Sequence, residues 1–140
     1  MTPEQNKQAV IDAWKSFASR DPARVAEAFT ADAEWLAPAD NATALALHSV
    51  GHMIGRARIV RFLTEEFATL FVADVKLEWR SLFADGDTVI MEHRFQGRLA
   101  NGRHYDNDYA FFIELRDGRI HRLREYMDTQ RGQRMIFGDA

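Results

Sequence analysis

An Asp-Gly or Asn-Gly pair between stretches of alternating polarity marks the tip of a β-hairpin, and the second half of this chain carries three: Asp85-Gly86, Asn101-Gly102 and Asp117-Gly118. Four strands follow from them, at about 74–83, 88–96, 103–115 and 119–128. Turn type then decides which side chains meet, because two- and three-residue loops set opposite parities across from each other. With three-residue loops Ala84-Asp85-Gly86, Ala100-Asn101-Gly102 and Arg116-Asp117-Gly118, each closing on a left-handed glycine, odd-numbered residues face odd-numbered ones. The odd face reads Val75, Leu77, Trp79, Val89, Met91, His93, Phe95, Asn107, Tyr109, Phe111, Ile113, Leu115, Leu123, Glu125 and Met127. The even face carries Lys76, Glu78, Arg80, Glu92, Arg94, Asp106, Asp108, Glu114, Arg122 and Arg124. One face is greasy and the other charged.

Counting from these loops sets Leu77, His93, Tyr109 and Glu125 side by side across the four strands. A two-residue loop at Asn101-Gly102 would break the row. The same register puts Arg94 across from Asp108, with Arg124 diagonal to it, on a surface suited to solvent or to a second subunit.

The first half reads as helices. Thr2-Pro3-Glu4-Gln5 combines an N-cap, a proline at the first helical position and a Gln three residues after the cap, and Val10, Trp14 and Phe17 follow at helical spacing to about Ser19. Asp21-Pro22 starts a second helix, expected to end near Ala31. A short strand, Glu34 to Ala37, stops at Pro38. Residues 39–55 show no clear period and are expected to form a partly helical loop able to cover something. From Arg56, residues Ile59, Leu63, Phe67, Leu70 and Phe71 define a third amphipathic helix.

At 140 residues, 46% of them hydrophobic, the chain is expected to be one globular domain over residues 1–140. It has no cysteine, hence no disulfide or thiolate chemistry. It shows neither the basic-then-apolar pattern of a secretory signal nor an apolar run of membrane-spanning length, so a cytoplasmic protein without a membrane partner is expected. A net charge of −3 argues against nucleic acid, and the local cluster Arg116, Arg119, Arg122 and Arg124 reads as a solvated or subunit-contact face.

Chemistry concentrates on the odd face. A carboxylate among Leu, Phe and Met is poorly solvated and its pKa rises towards the range of general acid–base catalysis, so Glu125 is the leading catalytic candidate. His93 is placed to share or shuttle a proton and Tyr109 to hydrogen-bond a developing oxyanion, while Asn107 can orient a carbonyl or water. The alternative is that His93, Tyr109 and Glu125 satisfy one another as buried polar groups must. Trp35 and Trp79 are candidate pocket walls, with Met91, Phe95, Phe111, Leu123 and Met127 completing a ligand-binding set. His48 and His52 have the four-residue spacing of helical metal ligands, but Ser49 and Gly51 do not suit such a helix, and no metal site is assigned. No phosphate loop, dinucleotide fingerprint or nucleophile elbow is present, so no cofactor is expected.

Two helices, a short strand ending at proline, a helix opening with Gly55-Arg56, and a meander containing Tyr105-Asp106-Asn107-Asp108-Tyr109 and Asp117-Gly118-Arg119-Ile120 and closing on Arg124-Glu125-Tyr126-Met127-Asp128 together resemble the SnoaL-like branch of the ketosteroid-isomerase-like family, within the nuclear transport factor 2-like superfamily. The resemblance implies an α+β fold: a cone-shaped roll of three N-terminal helices packed on a curved, mainly antiparallel sheet, with an internal apolar pocket and a homodimer through the outer sheet face. It does not carry the steroid isomerases' site. Their aspartate base precedes the proline of the first strand, where this chain has Ala37, and their oxyanion tyrosine falls near Ala13 or Trp14. The limonene-epoxide-hydrolase relatives resemble it at Glu125, but their Arg-x-Asp pair reads His93-Arg94-Phe95 here. The expectation is a protein for a small hydrophobic molecule, either an isomerase, hydratase, epoxide hydrolase or polyketide cyclase using Glu125, or a non-catalytic binding or dimeric interaction module.

Overall fold

The first helix forms where its capping signals predict. In a computed structural model describing residues 1–138, α1 runs Pro3–Ser19. The Thr2 hydroxyl accepts from the Gln5 N–H, and the Gln5 side chain accepts from the Thr2 N–H, so two of the helix's orphan donors are satisfied. Helix α2 covers Pro22–Glu27, capped by Asp21, and stops short of the expected Ala31. The reason is strand pairing: the Ala28 carbonyl accepts from the Ile120 N–H, and Phe29 begins β1 (Phe29–Leu36), longer than the strand expected from sequence.

Residues 39–55 contain a short helix α3 (Ala42–Ala46), capped by Asn41, and a strand β2 (His52–Ile54) antiparallel to β1. The third expected helix begins as α4 (Arg56–Arg61), passes through a π-helical turn at Phe62–Glu66, and ends as α5 (Phe67–Leu70). Phe71 belongs to the next strand. The meander is β3 (Phe71–Asp85), β4 (Thr88–Leu99), β5 (His104–Arg116) and β6 (Arg119–Met127). A helix not expected from the sequence, α6 (Thr129–Phe137), starts at Asp128, whose carboxylate accepts from the Arg131 N–H.

The strands form one curved, open sheet in the order β2-β1-β6-β5-β4-β3, antiparallel except where β1 runs parallel to β6. Helices cover its odd face. Fully buried Val10, Phe29, Ile59, Ile113 and Leu123 join the two layers, each such side chain contributing roughly 1.5–3 kcal/mol through removal from water. A second cluster, around Phe71, Leu99, Tyr105 and Ile136, fixes α6 to the far end.

The hairpins settle the register, and two of the three differ from expectation. The middle loop is the predicted three-residue one: Gly102 has φ 88° and His93 lies opposite Tyr109. The first hairpin instead closes tightly, with Asp85 paired to Thr88, and the third pairs Arg116 with Arg119. Each would reverse the parity, but a bulge restores it: Arg80 is extra between Trp79↔His93 and Ser81↔Glu92, and His121 between Glu114↔Arg122 and Leu115↔Ile120. Beyond the bulges odd residues therefore still share a face, displaced by one cross-strand pair, while next to the tips Leu82, Ala84 and Ile120 take their place opposite Met91, Val89 and Leu115. Leu77 faces Phe95 rather than His93, and Glu125 faces Phe111 rather than Tyr109.

Candidate functional site

The odd face and the helices enclose a cavity of about 330 Å³. Its walls are largely aromatic. Trp14 and Phe17 enter from α1, Trp35 from β1, Phe62 and Phe67 from either end of the π-helical turn, and Phe95 and Phe111 from the sheet. Trp14 packs edge-on against Phe111, with ring centroids 5.2 Å apart, and Trp35 does the same at 6.1 Å. A volume in this range suits a small ligand.

Glu125 opens onto this cavity, and its Oε1 accepts a hydrogen bond from the Trp35 indole N–H at 2.8 Å. The two meet because Trp35 pairs with Leu123, and Glu125 is the next residue of β6 on the same face. Burial disfavours the carboxylate and pushes its pKa up to about 7, with the indole N–H acting in the opposite direction.

His93 and Tyr109 lie on the same wall, with ring centroids 5.5 Å apart. His93 is 3% exposed; burial lowers its pKa to about 4, and its Nδ1 has no hydrogen-bond partner. The imidazole is neutral near pH 7. The Tyr109 hydroxyl lies 2.6 Å from that of Tyr105, which also accepts from Asn107 Nδ2 at 3.1 Å. If Tyr105 donates onward, the Tyr109 proton is free to point at a ligand. Burial raises the pKa of both phenols, that of Tyr109 well above its usual value.

His93, Tyr109 and Glu125 thus share one cavity but do not hydrogen-bond one another, and the mutually satisfied trio is not what forms. Trp35, Phe95 and Phe111 line the cavity. Several other proposed lining residues lie elsewhere. Met91 and Leu123 are wholly buried in the core, where bulge-shifted pairing and helix packing seal them from the cavity. Asn107 is also fully buried and is taken up by Tyr105, the Asp128 carbonyl and the Asp108 N–H. Met127 pairs with Tyr109 beyond the cavity wall. Trp79 is 39% exposed on edge strand β3 and flanks His93 from outside, centroid to centroid at 6.5 Å. His52 pairs with Glu34 at 2.9 Å, and His48 sits in a turn at φ 51°.

Sequence reasoning passed over Trp14 and Phe17 as plain core, although their helical stripe had to land on the greasy face. It also passed over Tyr105, which shares strand and parity with Tyr109. Arg20 had a subtler signal, an arginine directly before a second helix start, where a glycine commonly ends the first helix.

The chain matches the SnoaL-like domain family over residues 8–123 and belongs to that family. No curated protein matches it. Among solved structures, a nuclear transport factor 2-like protein of unknown function from Burkholderia pseudomallei is 20% identical over 98% of this chain and 99% of its own, with a TM-score of 0.82. TerC, co-crystallised with polyporic acid, is 22% identical over 94% and 98% of the two chains, with a TM-score of 0.77. An epoxide hydrolase of the limonene-epoxide-hydrolase-like type from Mycobacterium tuberculosis is 17% identical over 96% and 90%, with a TM-score of 0.73. At such identities the likeness is one of fold. No helix among the described residues is long and apolar enough to cross a membrane.

Proposed function

We propose that this protein binds a small, mostly apolar molecule in the aromatic cavity and catalyses proton transfer on it, with Glu125 as general acid or base. The observation that carries the reading is the one carboxyl group that the described residues place on the cavity wall, its pKa raised to about 7 and its oxygen held by one indole N–H. A group with that pKa exchanges its proton near neutrality, where the acid and base forms coexist. Abstraction of a proton next to a ligand carbonyl would leave an enolate, which the Tyr109 hydroxyl can stabilise with a hydrogen bond. Neutral His93 lines the same wall, with its Nδ1 buried and unpartnered. Protonation of an epoxide oxygen by the acid form is the mirror-image use of the same group.

The fold's solved members include an epoxide hydrolase and a protein co-crystallised with polyporic acid, which supports a small-molecule role by analogy only. We place the homodimer contact on the outer sheet face, where Arg94 holds Asp106 with two bonds of 2.8 and 2.6 Å and Arg80 holds Asp108 at 2.7 Å. A non-catalytic binding module is the competing reading, favoured because among the described residues Glu125 has only the Trp35 indole as a hydrogen-bonded partner, which does not relay a proton.

Thermal shifts of wild type and Glu125→Gln against hydrophobic ketones, epoxides and polyketide-like aromatics, each followed for chemical change, separate the two. A compound that stabilises both proteins and is converted only by wild type supports the acid–base role. Equal conversion by both proteins removes it.

A further inference from the structure

Arg20 stands at the end of α1 in the left-handed conformation, φ 54° and ψ 20°, with its N–H bonded to the Phe17 carbonyl. Glycine is favoured at such a cap because a Cβ there costs about 1 kcal/mol. The conformation turns an arginine side chain onto the cavity rim beside Phe17 and Ala18, while the residue itself stays exposed to solvent. Several arginines of the outer surface, Arg58, Arg80, Arg94, Arg116, Arg124 and Arg131 among them, face a carboxylate, and others do not; what sets Arg20 apart is its place on the cavity rim. Among the described residues Arg20 faces none. The adjacent acid, Asp21, is committed to the Ala23 N–H at the start of α2.

Glu125 does not neutralise Arg20 either. Among the described residues only the indole of Trp35 bonds to that carboxyl, and no cation there holds it ionised. The cavity therefore carries a permanent cation at its rim and, not bonded to it, an acid on its aromatic wall whose neutral and ionised forms coexist near pH 7. Half-exposed Val75 and Leu77 of β3 give the opening an apolar flank.

We propose that the ligand is an amphipathic organic acid, whose apolar ring system fills the aromatic cavity while its anionic group is held at the rim by Arg20. The proposal rests on the cavity reading above and adds the chemical class of the ligand. A guanidinium suits this role because it stays charged and grips a carboxylate through paired donors. The rim is open to water, so the contact discriminates among ligands more than it holds them.

Matched pairs of probes provide the test: 2-naphthoate with 2-naphthamide, and 4-biphenylcarboxylate with 4-biphenylcarboxamide. Binding is read by calorimetry and by quenching of Trp14 and Trp35. Wild type should prefer each acid over its amide by roughly fivefold to tenfold at low salt. Arg20→Gln should erase that preference and leave amide binding unchanged, Arg20→Lys should keep part of it, and Arg24→Gln, on exposed α2, should keep all of it. Retention of the preference in Arg20→Gln, or equal binding of acid and amide by wild type, overturns the role of Arg20. In either case amide binding leaves the cavity reading standing, whereas failure of every probe to bind overturns both.

Discussion

Trp35 and Glu125 meet across the one parallel strand pair of the sheet, indole N–H to carboxylate oxygen at 2.8 Å. Among the described residues this is the only hydrogen bond that favours the charged form of Glu125, and burial opposes it. Trp35→Phe keeps an aromatic ring in place and removes the donor. The Glu125 pKa should then rise further above about 7, and any rate limb that depends on its ionisation should move to more alkaline pH. The check is an NMR titration of the labelled Glu125 carboxyl in both proteins. An unchanged midpoint would show that the indole bond does not set this proton affinity.

Asn107 was expected beside a ligand and instead ties three parts of the fold together. Its side chain donates to the Tyr105 hydroxyl at 3.1 Å and to the Asp128 carbonyl at 3.0 Å, and accepts from the Asp108 N–H at 2.9 Å. Asp128 also caps α6, so one amide links β5 to the start of the last helix. Asn107→Ala removes one partner from each group, although the Tyr105 hydroxyl keeps Tyr109 and the Asp128 carbonyl keeps the Gly132 N–H, and should cost about 1–3 kcal/mol. Urea unfolding measures the loss, and hydrogen exchange should show it concentrated in α6. A change below roughly 0.5 kcal/mol, the usual size for a surface substitution, would mean water replaces the amide without loss.

How much of this was legible beforehand depends on which force decided each element. Strong local signals transferred well: the Thr2 cap, the apolar stripe of α1, and the polar–apolar alternation that put His93, Tyr109 and Glu125 on one face. The pairing partner of Glu125 did not transfer. It depends on two bulges, at Arg80 and His121, and neither residue differs visibly from its neighbours in the sequence. The bulges keep the parity and shift the row by one pair, so shared faces were readable where contacts were not. The cavity needed tertiary information throughout, because Trp14, Trp35 and Glu125 come from three distant segments. Helix α6 was readable in principle, since Asp128 is a good cap and Met135 and Ile136 supply an apolar edge, but nine residues after a strand gave a faint period.

The middle hairpin offers a direct test of the turn argument. Gly102 has φ 88°, and a Cβ built on it would meet nothing within 4 Å. Any effect of Gly102→Ala must therefore come from the backbone conformation, and the expected cost is about 1–2 kcal/mol. Gly102→Asn should cost less, because asparagine tolerates the left-handed region better. A neutral Gly102→Ala in urea unfolding would show that the loop relaxes to another turn and that the His93–Tyr109 pairing does not depend on it.

Glu125 and His93 pull stability in opposite directions over nearly the same pH range. In the folded protein Glu125 keeps its proton up to about 7, against an ordinary value of 4.5. Between those values the unfolded chain has already released that proton, so stability falls as pH rises through the window. His93 behaves conversely, with a folded value of about 4 against an ordinary 6.5. Between those values only the unfolded chain holds the imidazole proton, so stability rises with pH. Each effect is on the order of 3 kcal/mol across its window, and in wild type they largely cancel. Asp32 and Asp106, both held below their ordinary value of 3.8, act only at lower pH. Glu125→Gln should therefore unmask His93, giving a protein whose stability climbs from pH 4 to about 6.5. His93→Phe should do the reverse, losing stability from pH 4.5 to about 7, and the double variant should be nearly flat. Urea unfolding at half-unit steps across this range distinguishes the four profiles. If Glu125→Gln follows the wild-type curve, the carboxyl titrates near its ordinary value, and its place as a neutral-pH acid or base is lost with it.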